Sequence, residues 1–529
     1  MNDKRVLLAA ILSAVFLTWY SQVVMRGSGG SAPRPTGGIG QEPNQQDRRS
    51  QAQETKKLSY IHHVEQEDVI EIESSVLRLE IGRKSGAIRR AIMKKFLDAS
   101  AKSPLELGSD IPLFQIQING ATPSWKLLES GPSSVTLEAQ EADDTGSNNY
   151  HLLYSIDKGN SLVNMMLARV NGKNIKQDVV MITSWRRADQ LKSSQNVLEV
   201  VASSDGGNGK TAYKKYAGSW KGEKIVPRGT TTLSLSERYF CESIKPIGQT
   251  ANVKLLESSP ETIVTESSVK LLSQNNTTPS VNVAIYIGPR DYFYLKEAGF
   301  ESAFYIGILG KIGLMMLLVL SWLAGIVGNY GVAIILFSGI ITGLMAPFTL
   351  LGFRSMKKMQ KLKPRVDQIM AQHKDEPQRV NRELFALYKE HKVSPLSGCL
   401  PMFIQFPVFI ALFQAISHYV ELRGRPFLWI KDLSLPDHIA RLPFSLPILG
   451  EHLNLLPIVM AAAMYMQTKM SQASMAVDQN NPTTKMMSGP MMSVLFGFMF
   501  YQFPSGLVLY WLTNSLFSLA VYKSATTTS

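Results

Sequence analysis

The chain has 529 residues, two cysteines and a formal net charge of +13, from 55 Lys and Arg against 42 Asp and Glu. At roughly 100–200 residues per domain the length suggests two to four domains, and so few cysteines exclude a disulfide scaffold and a multi-cysteine zinc or iron–sulfur protein. The apolar residues are concentrated in blocks: no Asp, Glu, Lys or Arg falls within 6–25, 312–353, 393–420, 452–468 or 486–522. A spanning helix needs ~20 mostly apolar residues, and a charge at mid-bilayer costs at least ~2.5–3.5 kcal/mol. The five windows therefore read as membrane-embedded segments.

Lys4 and Arg5 precede the apolar run Val6 to Val24. A cleavable signal has an apolar core of about 7–15 residues and a small-x-small site. This run is longer and ends in Trp19, Tyr20, Gln22, Met25 and Arg26, so residues 1–25 are expected to be an uncleaved anchor. Residues 26–58, rich in Gly, Ser, Pro, Gln and Arg, cannot bury enough surface to offset their ordering entropy and read as a flexible tether.

From 59 to 303 the period changes to two. Asp68-Val-Ile-Glu-Ile-Glu, Val76-Leu-Arg-Leu-Glu-Ile, Phe114-Gln-Ile-Gln-Ile and Val281-Asn-Val-Ala-Ile-Tyr-Ile alternate or run as β segments. Turn signals stand at Asn119-Gly120, Asp157-Lys-Gly159, Asn171-Gly172 and Asp205-Gly-Gly207. The spacing predicts a large all-β sandwich. Three features in it resemble chemistry. His62-His63 would point to opposite faces of a strand and cannot chelate together there. Cys241 reads as a buried structural thiol. Gly206-Gly-Asn-Gly209-Lys-Thr lacks the spacing of a phosphate loop and reads as a turn. No metal site is expected.

Topology follows from charge. The segment 354–392 carries eleven basic and five acidic residues, the bias of a cytoplasmic loop. With the N-terminus inside and one span before it, the β domain is outside, and one crossing must return the chain before Arg354. Gly328-Asn-Tyr-Gly331 divides the long window 312–353. The expected arrangement is an interfacial amphipathic helix at 304–327, then a second span at 328–353. Within 393–523, Pro395–Tyr419, Leu453–Gln467, Met487–Gln502 and Leu507–Tyr522 complete six spans, with a loop outside at Val420–Pro443 holding Trp429. Phe503-Pro-Ser-Gly506 breaks the last window, and 524–529 is a short cytoplasmic tail.

Within 354–392, Met356, Met359, Leu362, Val366, Ile369 and Met370 recur at helical spacing, and Val380, Leu384 and Leu387 continue a second helix. Asp375 is a candidate N-cap, with Pro377 in the first turn. The result is a basic helical hairpin bearing Lys357, Lys358, Lys361, Lys363, Arg365, Arg379 and Arg382. It is either a topogenic loop or a docking surface for anionic lipid, RNA or an acidic protein face.

Lys392-Val-Ser-Pro-Leu-Ser-Gly398-Cys-Leu-Pro401-Met-Phe-Ile-Gln405-Phe-Pro407-Val-Phe-Ile-Ala-Leu412 resembles the third-span signature of the YidC/Oxa/Alb membrane protein insertases. Phe503-Pro-Ser-Gly-Leu-Val-Leu-Tyr510-Trp511 resembles the start of their last span, and Gly328-Asn-Tyr-Gly331 and Ile287-Gly-Pro-Arg-Asp-Tyr-Phe-Tyr-Leu-Lys296 match as well. The similarity covers essentially the whole chain, and the large outer domain with a first anchor resembles the Gram-negative form. It implies an inner-membrane insertase that needs no cofactor and makes no covalent intermediate. It also implies a five-helix core whose hydrated groove opens to cytoplasm and lipid, and an outer domain like a sugar-epimerase sandwich. The implied partners are nascent membrane proteins, lipids, Sec translocon components and a translating ribosome or signal-recognition receptor, with no specific nucleic acid.

Polar groups in lipid should face such a groove. The candidates are Ser338, Thr342, Gln405, Gln414, Gln467, Ser493, Gln502, Thr513 and Asn514, with Tyr510 and Trp511 from the last-span motif. Each could instead make an interhelical hydrogen bond. One departure stands out: family members usually carry a groove arginine where this chain has Thr342, and no Lys or Arg occurs in 312–353. The alternative reading is therefore a membrane-anchored assembly chaperone or scaffold with an altered client range. A solute transporter would show midplane charges or inverted repeats, and neither is evident.

Overall fold

The structure is a computed structural model that describes residues 67–527 apart from 98–102, 109–110, 144–145, 172–176, 187–197, 207–208, 221, 260, 272–277, 305–307, 374–375, 392, 394–399, 447–449 and 473–489. The expected anchor, the tether, His62-His63, the Asp375 cap and Cys399 lie outside the described residues. The chain divides after Tyr305 into two compact units.

The first unit holds two nine-stranded antiparallel sheets. One runs Val69–Glu73, Leu77–Gly82, Ile88–Leu97, Phe114–Ile118, Gln177–Arg186, Thr262–Leu271, Asn252–Ser258 and Lys224–Ile225, with Pro104–Leu107 paired to Ile88–Leu97. The other runs Gly209–Tyr216, Glu199–Gly206, Thr232–Ser236, Phe240–Pro246, Ser280–Pro289, Leu162–Asn171, Gly146–Ile156, Ser134–Asp143 and Lys126–Ser130. Alternation along Val69–Glu73 buries Ile70 and Ile72 and leaves the residues between them outside. The sheets meet face to face: Phe96 packs edge-on against Phe240 at 5.4 Å, and the Tyr150 hydroxyl donates to Gln177 Oε1 at 2.7 Å.

The expected turns are present where they are described. Asn119 and Gly120 take φ of 50° and 81° between Ile118 and Ala121, which bond each other in both directions; this is the left-handed pair a two-residue hairpin requires. Gly206 and Gly209 pair at the facing ends of the antiparallel strands Glu199–Gly206 and Gly209–Tyr216. Cys241 is a free, buried thiol, and burial pushes it up to about 12. It lies under Leu295, Phe300 and Ala303, residues that follow the last strand.

The motif Gly288-Pro-Arg-Asp291 has a structural role in this unit. Arg290 is buried, ion-paired with Glu199, and donates to the Glu237 carbonyl oxygen at 3.1 Å. Asp291 accepts from the Phe293 amide at 2.9 Å and so caps helix α1, Tyr292–Glu297.

The second unit is helical. Its long elements are α2 (Ile308–Val327), α3 (Tyr330–Lys361), α4 (Lys363–Gln372), α5 (Pro377–Glu390), α6 (Leu400–His418), α7 (Leu455–Gln472), α8 (Pro490–Met499) and α9 (Ser505–Thr527). Among the described residues, α2 and α3 each carry a stretch long and apolar enough to cross a bilayer. Helix α3 has 32 residues, so at 1.5 Å per residue it is ~48 Å long and outreaches ~30 Å of hydrocarbon. Its last turns carry Lys357, Lys358 and Lys361.

The helix expected at 304–327 begins at Ile308, after a short turn at Glu301–Ala303, and it is not amphipathic. Its packed face carries Met316, Leu317, Leu320 and Leu323, and its outward face carries Met315, Leu318, Trp322 and Ile326. Both faces are apolar because nearly every residue between Ile312 and Val327 is apolar, which leaves no polar stripe to meet water. Gly313 lets α2 approach α6 closely: a Cβ there would stand 2.7 Å from the Ala411 carbonyl oxygen. Helix α8 ends at Met499, before the expected end at Gln502. The cap position of α5 is Glu376, without a side-chain bond, and Pro377 opens the helix.

Candidate functional site

Helices α3, α6 and α9 bring together most of the polar side chains singled out in the sequence. Ser338 Oγ, fully buried, donates to the Tyr510 carbonyl oxygen at 3.2 Å. Gln405 Nε2 donates to the Tyr510 hydroxyl at 2.8 Å. Thr342 Oγ1 lies 2.8 Å from both the Ser338 carbonyl oxygen and Asn514 Oδ1. Thr513 turns its hydroxyl onto its own helix, 2.8 Å from the Leu509 carbonyl oxygen. The cluster is made of hydroxyls and amides alone. Gln405 and Asn514 are half-buried, so each keeps a surface beyond the helix contact, whereas Ser338, Thr342 and Thr513 are consumed within it.

Trp511 lies beside this cluster, 5.0 Å from the Phe409 ring and 5.3 Å from Phe500. Phe409 and Phe500 were not singled out in the sequence. Ser493 is buried on α8, Gln467 is half-buried on α7, and Gln414 and Gln502 are exposed. Hydrogen bonds join Ser338, Thr342 and Gln405 to Tyr510 and Asn514 of α9.

One end of the bundle is tied shut by a second network that sequence reasoning missed. Tyr330 opens α3 and Tyr419 follows α6, with hydroxyls 3.3 Å apart. Asp437 Oδ2 accepts from the amides of Leu455 and Leu456, both at 2.9 Å, and from Trp429 Nε1 at 3.3 Å. These are first-turn donors of α7 that would otherwise lack partners. Asn454 Nδ2 donates to the Tyr501 carbonyl oxygen at 2.7 Å, and its Oδ1 accepts from the His438 amide at 3.1 Å. Ser505 Oγ reaches the carbonyl oxygens of Leu435 and Asp432 at 2.7 and 3.0 Å. The loop between α6 and α7 therefore holds the N-termini of both α7 and α9. Asn454 just before α7 and Ser505 at the start of α9 carry a readable capping signal. Asp437 caps from 18 residues upstream, and spacing alone could not find it.

The opposite end carries α4 and α5. Lys357, Lys358, Lys361, Lys363, Arg365, Arg379 and Arg382 are all exposed. Met359, Leu362 and Val393 form a small core with Tyr388. Arg379 faces Glu383 at 3.6 Å and Glu376 at 3.5 Å, so part of the basic charge is locally balanced.

A family model described as 60Kd inner membrane protein matches residues 322–526. The membrane protein insertase YidC of Pelobacter propionicus is 36% identical over 301 residues, 56% of this chain and 54% of that protein. The corresponding protein of Geotalea uraniireducens is 27% identical over 545 residues, 98% of each chain. The chain thus spans about half the length of the Pelobacter relative and nearly all of the Geotalea one. Among solved structures, an active YidC insertase covers 87% of this chain and 93% of its own, at 18% identity and a TM-score of 0.39. A galactose mutarotase-like protein from Lactobacillus casei covers 42% of this chain, at 9% identity and a TM-score of 0.30.

Proposed function

The chain belongs to the YidC/Oxa/Alb family, and from that premise we propose that it inserts nascent membrane proteins into the bacterial inner membrane and assists their folding. The observation that carries this reading is a neutral polar cluster, Ser338, Thr342, Gln405, Tyr510 and Asn514, set among helices with apolar outward faces and tied shut at the Asp437 end. In this reading α3 and α6 to α9 cross the bilayer, together with the N-terminal anchor, α2 lies against it, and the end tied by Asp437 faces outward. The hairpin end and the C-terminus face the cytoplasm, and the chain crosses six times.

A client enters from the hairpin end. Its polar flank is hydrated beside Gln405, Asn514 and Gln467 while its apolar segment moves into lipid. The driving force is burial of the client's own ~20 apolar residues, so no fuel or cofactor is required. Fixed polar groups lower the barrier by substituting for water. The exposed basic hairpin docks the ribosome, its targeting receptor or anionic headgroups, and the Sec translocon is a further partner.

Thr342 favours a narrowed client range. Its hydroxyl is engaged by Asn514, and no fixed cation lies in 312–353 to draw an acidic tail inward. Clients with neutral translocated flanks fit this path best. The test is purified protein in proteoliposomes with a single-span client synthesised in vitro. Protection of the client's translocated flank from protease, lost in empty liposomes, supports the reading. Equal protection with and without the protein overturns it.

A further inference from the structure

The tie at the outward end has a feature that its hydrogen bonds do not require. Phe427 and Ile430 bond each other in both directions at 2.9 Å, closing a two-residue turn whose tip is Leu428-Trp429. Leu428 takes a φ of 52°, left-handed backbone that a leucine rarely adopts, and it is 75% exposed. A turn built only to reverse the chain would place Gly, Asn or Asp there. Trp429 is also exposed, as are Leu435 and Ile439 in the same loop. The fold thus holds a bulky apolar side chain outward in a strained conformation.

The surroundings of the tip indicate what covers it. Phe427 packs directly on Gly331 at the start of α3, where a Cβ would stand 2.0 Å from its ring. From that contact the outward apolar stripe of α3 runs on through Val332, Leu336, Ile340 and Leu344, all exposed. The tip therefore continues the apolar face of α3 at its first turn. Arg425 and Lys431 flank it and are exposed. Arg425 lies over the Tyr330 ring at 5.8 Å and faces Glu421 at 3.7 Å; Asp432 is engaged by the Ser434 amide at 2.8 Å. A Leu–Trp tip with basic residues on either side is the chemistry of a membrane–water interface.

We propose that the Leu428–Trp429 turn is a wedge that inserts into the outer leaflet of the bilayer at the foot of α3. It rests on the reading that the helical unit lies in a membrane with this end outward. The wedge acts on the helices through one bond: Trp429 Nε1 donates to the same Asp437 oxygen that caps α7. Lipid holding the tip thereby holds the α7 cap, so the outward closure is anchored in the leaflet itself.

The test uses the full chain, with Cys241 and Cys399 replaced by serine, in phosphatidylglycerol–phosphatidylcholine vesicles. A single cysteine labelled with a polarity-sensitive fluorophore is placed by Leu428→Cys, by Leu344→Cys as the mid-stripe reference, or by Glu451→Cys on the neighbouring exposed hairpin. Quenching is measured with lipids spin-labelled near the headgroup or deep in the chain. The wedge predicts that label 428 is quenched at least threefold more by the shallow quencher than label 451, while label 344 responds best to the deep one. A quenched 344 with 428 indistinguishable from 451 overturns the wedge and leaves the membrane reading standing. No quenching at 344 or 428 overturns both. Trp429→Phe, which keeps the ring and removes the donor, should leave the quenching of label 428 unchanged and accelerate amide exchange at Leu455 and Leu456. Unchanged exchange would contradict the coupling.

Discussion

Glu242 in the β sandwich and Asp437 at the tied end of the helical unit are both buried carboxyls, and their surroundings treat them in opposite ways. Asp437 accepts three donors from two elements and closes the first turn of a helix. Glu242 pairs in register with Leu235 and Ile287 on the inner face of its sheet, and neither of its oxygens has a hydrogen-bond partner. Burial alone holds its carboxyl well above the usual range. A buried polar group stabilises only when its partners are present, and costs free energy when they are absent. The sandwich therefore has a reserve of stability that a substitution can release, whereas the tied end has none.

The largest effect should come from breaking the tie. Asp437→Ala leaves the Leu455 and Leu456 amides and the Trp429 indole without an acceptor, at about 1–3 kcal/mol for each buried orphan, less than additively. A loss of roughly 3–5 kcal/mol is expected, read as a lowered unfolding midpoint of the helical unit, with Asp437→Asn clearly milder. A neutral alanine would mean that the loop is held by something other than this carboxyl.

Glu242→Leu should act in the opposite direction, raising the stability of the sandwich by about 1–3 kcal/mol. The pH dependence has a definite sign. The folded state keeps the proton that the unfolded chain releases near 4.5, so stability falls as pH rises above that value toward the raised folded one. Glu242→Gln should flatten that slope in a urea titration followed at several pH values, and an unchanged slope would assign it to another group.

Tyr501→Phe sharpens the comparison at smaller scale. The hydroxyl donates to the His452 carbonyl oxygen at 3.0 Å and accepts from the Asn454 amide at 3.1 Å, so its removal should cost roughly 1–2 kcal/mol. The tied end should also loosen in acid. His438 lies against His452 with ring centroids 4.3 Å apart and the rings tilted by 54°, beside Asp437 and Asn454. Burial first and the His452 charge second lower its affinity for protons, against the opposing pulls of Asp437 and Asn454. A depressed folded value means that its contribution is present above the unfolded value of about 6.5 and is lost as pH falls through the folded one. The protection factors of Leu455 and Leu456, which divide out the intrinsic pH dependence of exchange, should therefore fall at pH 5 relative to pH 7.5, and His438→Asn should remove the difference.

Thr342→Val should do least, about 0.5–1 kcal/mol, since one interhelical bond in lipid is worth little. A drop in thermal stability of the helical unit well beyond that would mark Thr342 as a keystone of the bundle.

What the sequence discloses follows from how local its causes are. Alternation in Asp68–Glu73 and the Asn119-Gly120 turn are decided by neighbouring residues, and both are read directly. The charge-free windows locate the long helices because lipid penalises charge residue by residue. The sequence also supplies Thr342 and Asn514 as polar residues of helices 172 positions apart, but not that they bond each other. Asp437 is beyond such reasoning for the same reason: the amides it caps are brought to it by the whole loop between α6 and α7. Helix α2 defeats an amphipathic reading because that reading rests on counting crossings by charge, whereas nearly every residue from Ile312 to Val327 is apolar.

The central claim is that clients pass along the neutral polar cluster while the Asp437 end stays closed. Photoreactive residues placed one at a time at Gln405 and Gln467, and at Leu435 and Ile439 on the tied loop, would be exposed to ribosome-bound clients arrested halfway through synthesis. The account predicts crosslinks from 405 and 467 that depend on the client's apolar segment, and none from 435 or 439. Crosslinks from the tied loop, with none from 405, would contradict it.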